Sequence, residues 1–323
     1  MRLRRPVLIV SVLLLLPLAL WWGNSEGPAP AEARPVLLAH RGVAQRFDER
    51  GVQNDTCTAQ RMLPSNHAFL ENTLPSMDAS FHAGADVVEI DVHPTTDGKF
   101  AVFHDWTLDC RTEGHGETRA HTMEELKRLD VGYGYTADGG KTYPFRGHGV
   151  GLIPSLDEVL RTFPGRHFLI NVKSRDPSEG TRLAAALAAY PANQREVLAV
   201  YGGNEPIAEV RRLLPDVRTT SRASLKSCLL RYLALGWSGY VPESCERSVV
   251  LVPVNMAFLA WGWPHRFQRR LEAAGSQVVV VGPYSGGFTS GIDTPGDLDR
   301  LPPSYSGGIW TNEIEWLGHA LRR

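Results

Sequence analysis

The sequence has no excess of either charge: 34 Lys and Arg stand against 35 Asp and Glu, for a formal net charge of -1. Beyond the N-terminus the basic residues are scattered and form no stripe, so a nucleic-acid partner lacks its electrostatic footprint. Cysteine is scarce. The four present, Cys57, Cys110, Cys228 and Cys245, include no C-x-x-C spacing, which argues against zinc and thioredoxin-like sites and leaves disulfides. Three pairings are formally possible. Cys57 with Cys110 and Cys228 with Cys245 are favoured, because each pair would tie down a loop-rich excursion. Internal repeats are missing, and no Gly-rich phosphate fingerprint follows the first candidate strand. Disorder is not expected of a chain that is 43% hydrophobic.

One long apolar run is present. The N-terminus reads "MRLRRPVLIVSVLLLLPLALWW", three arginines and then an almost unbroken hydrophobic stretch from Pro6 to Trp22, followed by a Pro/Ala-rich linker. This is an export segment, which fits a cleaved signal and an uncleaved anchor equally well. Ala31-Glu32-Ala33 has the small-x-small form of a cleavage site. The Arg cluster stays cytoplasmic and everything after residue 34 faces outward. The expected organisation is therefore a signal peptide or signal anchor with linker over 1–33 and a folded unit over 34–323. The location is extracytoplasmic, with a membrane as partner if the segment is retained.

From residue 34 onward, continuously apolar β-branched runs alternate with helical stretches. Eight strand candidates emerge: 36–40, 87–91, 168–173, 196–202, 217–221, 249–254, 277–282 and 307–312. Unbroken apolar strands suit a parallel sheet covered on both faces, and eight such units in this length suit a (β/α)8 barrel. An open doubly wound sheet is the alternative. Two long polar insertions, 43–70 and 105–152, follow strands one and two and would lie over the C-terminal mouth.

Barrels gather their chemistry at the C-terminal ends of strands. The first strand ends in His40-Arg41-Gly42. The second carries Glu89 and Asp91, two apart and so on one face, the interior. Two carboxylates so placed repel unless a cation or a shared proton intervenes. The next segment reads as a hairpin turning at Asp97-Gly98 and delivering His104-Asp105 to the same mouth. Strand three adds Asn171 and Lys173. Oxygen donors of this kind favour Ca²⁺ or Mg²⁺ over zinc. Metal, Lys173 and Arg41 neutralise phosphoryl oxygens while the two imidazoles move protons, a set suited to breaking a phosphodiester. The plain alternative for Glu89 and Asp91 is a structural ion pair with Arg41 or Lys173, which is costly on an interior strand face.

The series "HRG" (40–42), "ENT" (71–73), "EIDVHPTTDG" (89–98), "HD" (104–105), "NVK" (171–173) and "TN" (311–312) resembles the glycerophosphodiester phosphodiesterases from about residue 36 to the end. The resemblance implies a TIM barrel hydrolysing glycerophosphodiesters to an alcohol and sn-glycerol 3-phosphate with a divalent metal. His40 and His104 would be the acid/base pair and Glu89 and Asp91 metal ligands. Arg41 and Lys173 would contact phosphate, and Glu71 would brace the mouth. A glycerol hydroxyl attacks first in this scheme, and water opens the cyclic phosphate.

Asn171 stands where the family commonly has Glu, so one negative charge is lost and weaker cation binding through the amide oxygen is expected. Thr311-Asn312 likewise replaces a frequent Thr-Asp. Trp261, after the sixth strand, is a candidate wall of the substrate pocket, with core packing as its plain alternative. Two other readings share the barrel or the site. One is a phospholipase D-like or phosphoinositide-type enzyme on lysophospholipids; the other is a non-catalytic binder of phosphorylated polyols.

Overall fold

Eight parallel strands curl into a nearly closed (β/α)8 barrel, in the order β6-β5-β4-β2-β1-β9-β8-β7. They are β1 (Val36–His40), β2 (Val87–Pro94), β4 (His167–Val172), β5 (Leu198–Gly202), β6 (Arg218–Ser221), β7 (Val249–Pro253), β8 (Gln277–Val281) and β9 (Gly308–Thr311). The short β3 (Phe100–Val102) pairs antiparallel to the end of β2, forming the expected hairpin. The structure is a computed structural model and describes residues 21–31, 34–53, 56–285 and 290–321. Residues 6–20 of the apolar run, and Glu32 and Ala33 of the small-x-small motif, lie outside the described residues. No helix among the described residues is long and apolar enough to cross a membrane.

Strand parity sorts the side chains. On β2, Val88, Ile90 and Val92 face outward and join the main core against the surrounding helices. Val87 points inward with Leu38, Leu169, Val279 and Trp310, filling the lower barrel. Glu89 and Asp91 share that inward parity higher up, so polar groups replace hydrocarbon where the barrel opens.

The longer helices are α1 (Leu74–Ala83), α2 (Leu156–Thr162), α3 (Pro177–Ala188), α4 (Asn204–Leu213), α5 (Arg222–Leu235), α6 (His265–Ala273) and α7 (Ile314–Leu321). Thr73, Ser155 and Ser221 start α1, α2 and α5 with capping boxes that satisfy the first free N–H groups. The seam between β6 and β7 has no backbone ladder. Thr220 bridges it instead: its hydroxyl donates to the Val249 carbonyl at 2.7 Å and accepts from the Val249 N–H at 2.8 Å.

The insertions at 43–70 and 105–152 are not bare loops. Met62 and Leu70 from the first pack with Leu108, Leu126 and Tyr135 from the second in a core of their own. The Cys57–Cys110 disulfide links the two insertions, and Cys228–Cys245 ties α5 to the turn before β7. Both pairings match the favoured ones.

Candidate active site

His40 and Arg41 close β1, and a sharp turn follows. Arg41 lies at φ 63° and Gly42 at φ 82°. A Cβ on Gly42 would fall 2.6 Å from Ser76 Oγ and 2.9 Å from the Ser76 carbonyl carbon, so only glycine lets β1 meet the start of α1 this closely. Asn72 takes a second left-handed conformation at φ 60°, and its N–H donates to the Arg41 carbonyl at 2.9 Å. Two non-glycine residues held this way side by side mark a segment shaped by its tertiary contacts.

Asp91 is the hub. Its Oδ1 accepts from Asn171 Nδ2 at 2.8 Å and lies 3.5 Å from Lys173 Nζ. Its Oδ2 accepts from Asn72 Nδ2 at 3.1 Å and lies 3.3 Å from Arg41 Nε. Burial works to raise its pKa, but Lys173, His104 and Arg41 outweigh that and hold it well below the ordinary value.

Glu89 has the opposite environment. Burial first, and the Asp91 charge second, push its pKa up. Oε1 accepts from the Tyr201 hydroxyl at 2.7 Å, while Oε2 is buried with no hydrogen-bond partner and lies 3.8 Å from His40 Nε2. A buried carboxylate oxygen left this way calls for a proton or a cation.

The imidazoles are each oriented through Nδ1. His104 Nδ1 donates to Asp105 Oδ1 at 2.5 Å, and Arg111 Nε donates to Asp105 Oδ2 at 2.9 Å. His40 Nδ1 donates to Asn312 Oδ1 at 2.6 Å, and Asp293 accepts from the Asn312 amide at 2.7 Å. Nε2 is the other nitrogen of each ring, and that of His40 accepts from Arg41 Nε at 3.2 Å. Burial, helped by Arg41, lowers His40 to about 3; burial, Arg41 and Lys173 lower His104. Arg41 lines two adjoining cavities of about 230 and 250 Å³, the first also lined by His104, Asn171 and Lys173, the second by His40 and Glu71. Arg41 is thus common to the surroundings of both rings.

Glu71 bridges Arg41 at 2.9 Å and Arg111 at 3.2 Å. Burial opposes its charge, but the two guanidiniums outweigh it and hold its pKa low. The structure therefore brings His40, Arg41, Glu71, Glu89, Asp91, His104, Asn171 and Lys173 together. Trp261 is the exception. It lines neither cavity; its indole donates to the Leu233 carbonyl at 2.8 Å, and it faces Trp21 and Trp237 on the outside of the barrel. The β7–α6 loop carries it past the rim, away from the mouth.

Five residues of the site were given no role from the sequence. Asp105, Asn72 and Asn312 lie inside the quoted motifs, so their positions were visible although their partners were not. Tyr201, the penultimate residue of β5 and the neighbour of Asn171 in register, has inward parity, a signal equal to that of Asn171. Arg111 left no signal, because a lone arginine in a polar insertion reads as solvent-exposed. Among the described residues, no group of three or more His, Cys, Asp or Glu side chains converges as a metal-holding set.

Fold and cluster together define a (β/α)8-barrel protein with buried carboxylates, cations and paired imidazoles at its C-terminal mouth. Residues 40–200 match the Glycerophosphoryl diester phosphodiesterase family, and the chain belongs to that family. It is 30% identical over 153 residues to a glycerophosphodiester phosphodiesterase of Caldanaerobacter subterraneus subsp. tengcongensis, covering 46% of this chain and 59% of that protein. A glycerophosphodiester phosphodiesterase of Bacillus subtilis is 32% identical over 168 residues, 48% of this chain and 56% of that one. The matches thus span a little over half the length of these relatives. The fold resembles an Oleispira antarctica phosphodiesterase solved with the product sn-glycerol-3-phosphate, at TM-score 0.56 and 19% identity, covering 90% of this chain and 97% of that one.

Proposed function

We propose that the protein hydrolyses glycerophosphodiesters to sn-glycerol 3-phosphate and an alcohol. The observation that carries this reading is that His40 and His104 both lie around Arg41 with Nδ1 engaged, and that His40 Nε2, which accepts from Arg41 Nε at 3.2 Å, is released when that guanidinium turns to a phosphate. A phosphoryl group seated on Arg41 and Lys173 has one ring on the side of the attacking hydroxyl and the other on the side of the leaving oxygen. One imidazole takes the proton of the attacking hydroxyl and the other delivers a proton to the departing alcohol. Asp105 gives His104 a carboxylate against which an imidazolium is stable. Lysophospholipids carry the same glycerol-phosphate-alcohol unit and fall within the substrate class.

The donor set fits a hard divalent cation such as Ca²⁺ or Mg²⁺. Glu89 offers a buried oxygen without a partner, Asp91 lies on the same strand face, and Asn171 brings an amide oxygen once its side chain turns over. Such an ion would supply positive charge for the phosphoryl oxygens. The four cysteines are all disulfide-bonded, which supports an extracytoplasmic setting, with the 1–33 segment as signal or anchor.

The test is release of glycerol 3-phosphate from diesters bearing several headgroups, with and without chelator. Release that survives chelator removes the metal from the scheme. Binding of the diesters without turnover by the intact chain would replace the enzyme with a binding protein.

A further inference from the structure

The outer face of α5 breaks the usual division between core and surface. Only Cys228 and Tyr232 of this helix are buried, while Leu230 is 56% exposed and Leu233 and Leu235 also reach solvent. Across from it the β7–α6 loop presents Met256, Leu259 and Phe258, the last 73% exposed. Between helix and loop runs an apolar groove of about 480 Å³, whose far end reaches Tyr284 after β8. Soluble proteins seldom leave so contiguous a patch uncovered without a use for it.

Two further observations say what covers it. The first is where the N-terminal chain meets the barrel. The Arg266 backbone N–H donates to the Glu26 carbonyl at 2.9 Å, and the guanidinium groups of Arg269 and Arg270 donate to the Pro28 and Gly23 carbonyls at 2.8 and 2.9 Å. Asn24 donates to the Trp237 carbonyl at 2.8 Å. The chain is thereby fastened along α6 from residue 23. The apolar run Pro6–Trp22 ends one residue earlier, with Trp21 and Trp22 exposed and Trp21 beside Trp237 and Trp261. A bilayer that hosts this run lies against this side of the barrel.

The second observation is charge. From Arg222 to Pro242 the sequence holds three basic residues and no acid, while Arg266, Arg269 and Arg270 of α6 are engaged with the Trp21–Pro28 strap, which itself carries Glu26. Arg222 and Lys226 line the groove itself. Leucine and phenylalanine at the centre, tryptophan and tyrosine at the margin and basic side chains around them are what an interface with acyl chains and anionic headgroups selects.

We infer that the face formed by α5, the β7–α6 loop and the Trp21–Pro28 strap docks on an anionic lipid surface. This contact adjoins the N-terminal run at Trp21 and Trp22 and extends from there over α5 and the β7–α6 loop. It turns the β6–β8 rim of the mouth toward the headgroup layer, since α5 starts and the β7–α6 loop lies at the C-terminal ends of their strands. The chain is thus held to the bilayer by the run and by this face, and substrate drawn from the membrane surface reaches the mouth from that rim.

The test uses the full chain with Phe258→Cys, labelled with a polarity-sensitive fluorophore; the native cysteines, all paired, do not compete. A second protein carries the label through Arg161→Cys on α2, on the far side of the barrel. Vesicles of phosphatidylglycerol mixed with phosphatidylcholine are expected to shift the emission at 258 to the blue and to expose it to a lipid-borne nitroxide quencher, with 161 unchanged. Emission at 258 that stays water-like while the chain sediments with vesicles overturns the inference, because the N-terminal run alone then carries binding. Emission already blue without vesicles also overturns it, showing the patch covered by residues 1–20 or by a second copy. An equal shift on pure phosphatidylcholine overturns the preference for anionic lipid.

Discussion

Arg111 donates through Nε to Asp105 Oδ2 at 2.9 Å, from a guanidinium that is almost wholly buried. The same side chain bonds the Tyr135 hydroxyl, donates to Thr58 Oγ1 at 2.7 Å and pairs with Glu71 at 3.2 Å. One arginine thus joins both insertions to both sides of the site, next to the disulfide that links those insertions. Asp105, gripped by Arg111, can address His104 in only one orientation.

Asp105→Asn is therefore expected to leave the fold intact and lower kcat by about 10²–10⁴-fold, because the amide no longer holds the proton on Nδ1 or stabilises the imidazolium. KM should change little. Steady-state kinetics on a glycerophosphodiester, with circular dichroism as the control for folding, measures it; an unchanged kcat would falsify the pairing of Asp105 with a working His104.

Cation binding should release protons. Glu89 is held protonated near neutrality by burial and by Asp91, so in the cation-free chain its folded pKa is above its unfolded one. The folded state then carries the extra proton, and its stabilising effect fades as pH rises. A divalent ion takes the proton's place, so affinity should increase with pH. Calorimetry in buffers of different ionisation enthalpy reads the proton count. Asn171→Glu adds a ligand charge and should tighten binding about tenfold or more; no tightening means that residue 171 lies outside the ion's ligand set.

With chelator present, acid should unfold the chain through its histidines before its carboxylates. His40 and His93 are lowered by burial to about 3 and about 4, against 6.5 as the ordinary value. Between those values the unfolded chain binds more protons than the folded one. The histidine contribution is full above pH 6.5 and falls by about 1.36 kcal/mol per pH unit for each ring as pH drops, while Glu89 gains in the opposite sense over part of that range, so two rings against one carboxyl leave a net fall. Urea titrations from pH 7 to 4 check this, and a flat profile rules out neutral, buried rings at these positions.

Thr220→Val keeps the volume at the β6–β7 seam and removes the hydroxyl that both donates to and accepts from Val249. The buried Val249 groups lose their partner, and a loss of about 1–3 kcal/mol is expected. Chemical denaturation measures it. A stability equal to that of the parent chain would mean that the seam holds without the Thr220 hydroxyl, by packing and the bond from the Thr219 N–H to the Arg247 carbonyl at 3.0 Å.

Much of the barrel was legible because its signals are local. Continuous apolar runs marked all eight strands within a few residues, and two-residue parity placed Glu89, Asp91, Asn171 and Lys173 on the inner face. The hairpin that returns His104 was written in Asp97-Gly98. The insertions were legible only as interruptions. Their shared core depends on Met62 meeting Leu126 and on Arg111 meeting Thr58, pairings that no local pattern announces.

Sequence by itself determined which segments are strands, which side chains each strand turns inward, and that acids, imidazoles and cations end at one mouth, since all of these follow from chain-local geometry. Only the tertiary structure decided the partners. His40 finds Asn312 across 272 residues and Glu89 finds Tyr201 across 112, so the charge state and aim of each group are set by neighbours that only closure of the barrel supplies. The apolar face on α5 belongs to that second category too. A leucine in a helix looks the same whether or not another element comes to cover it, and here none among the described residues does.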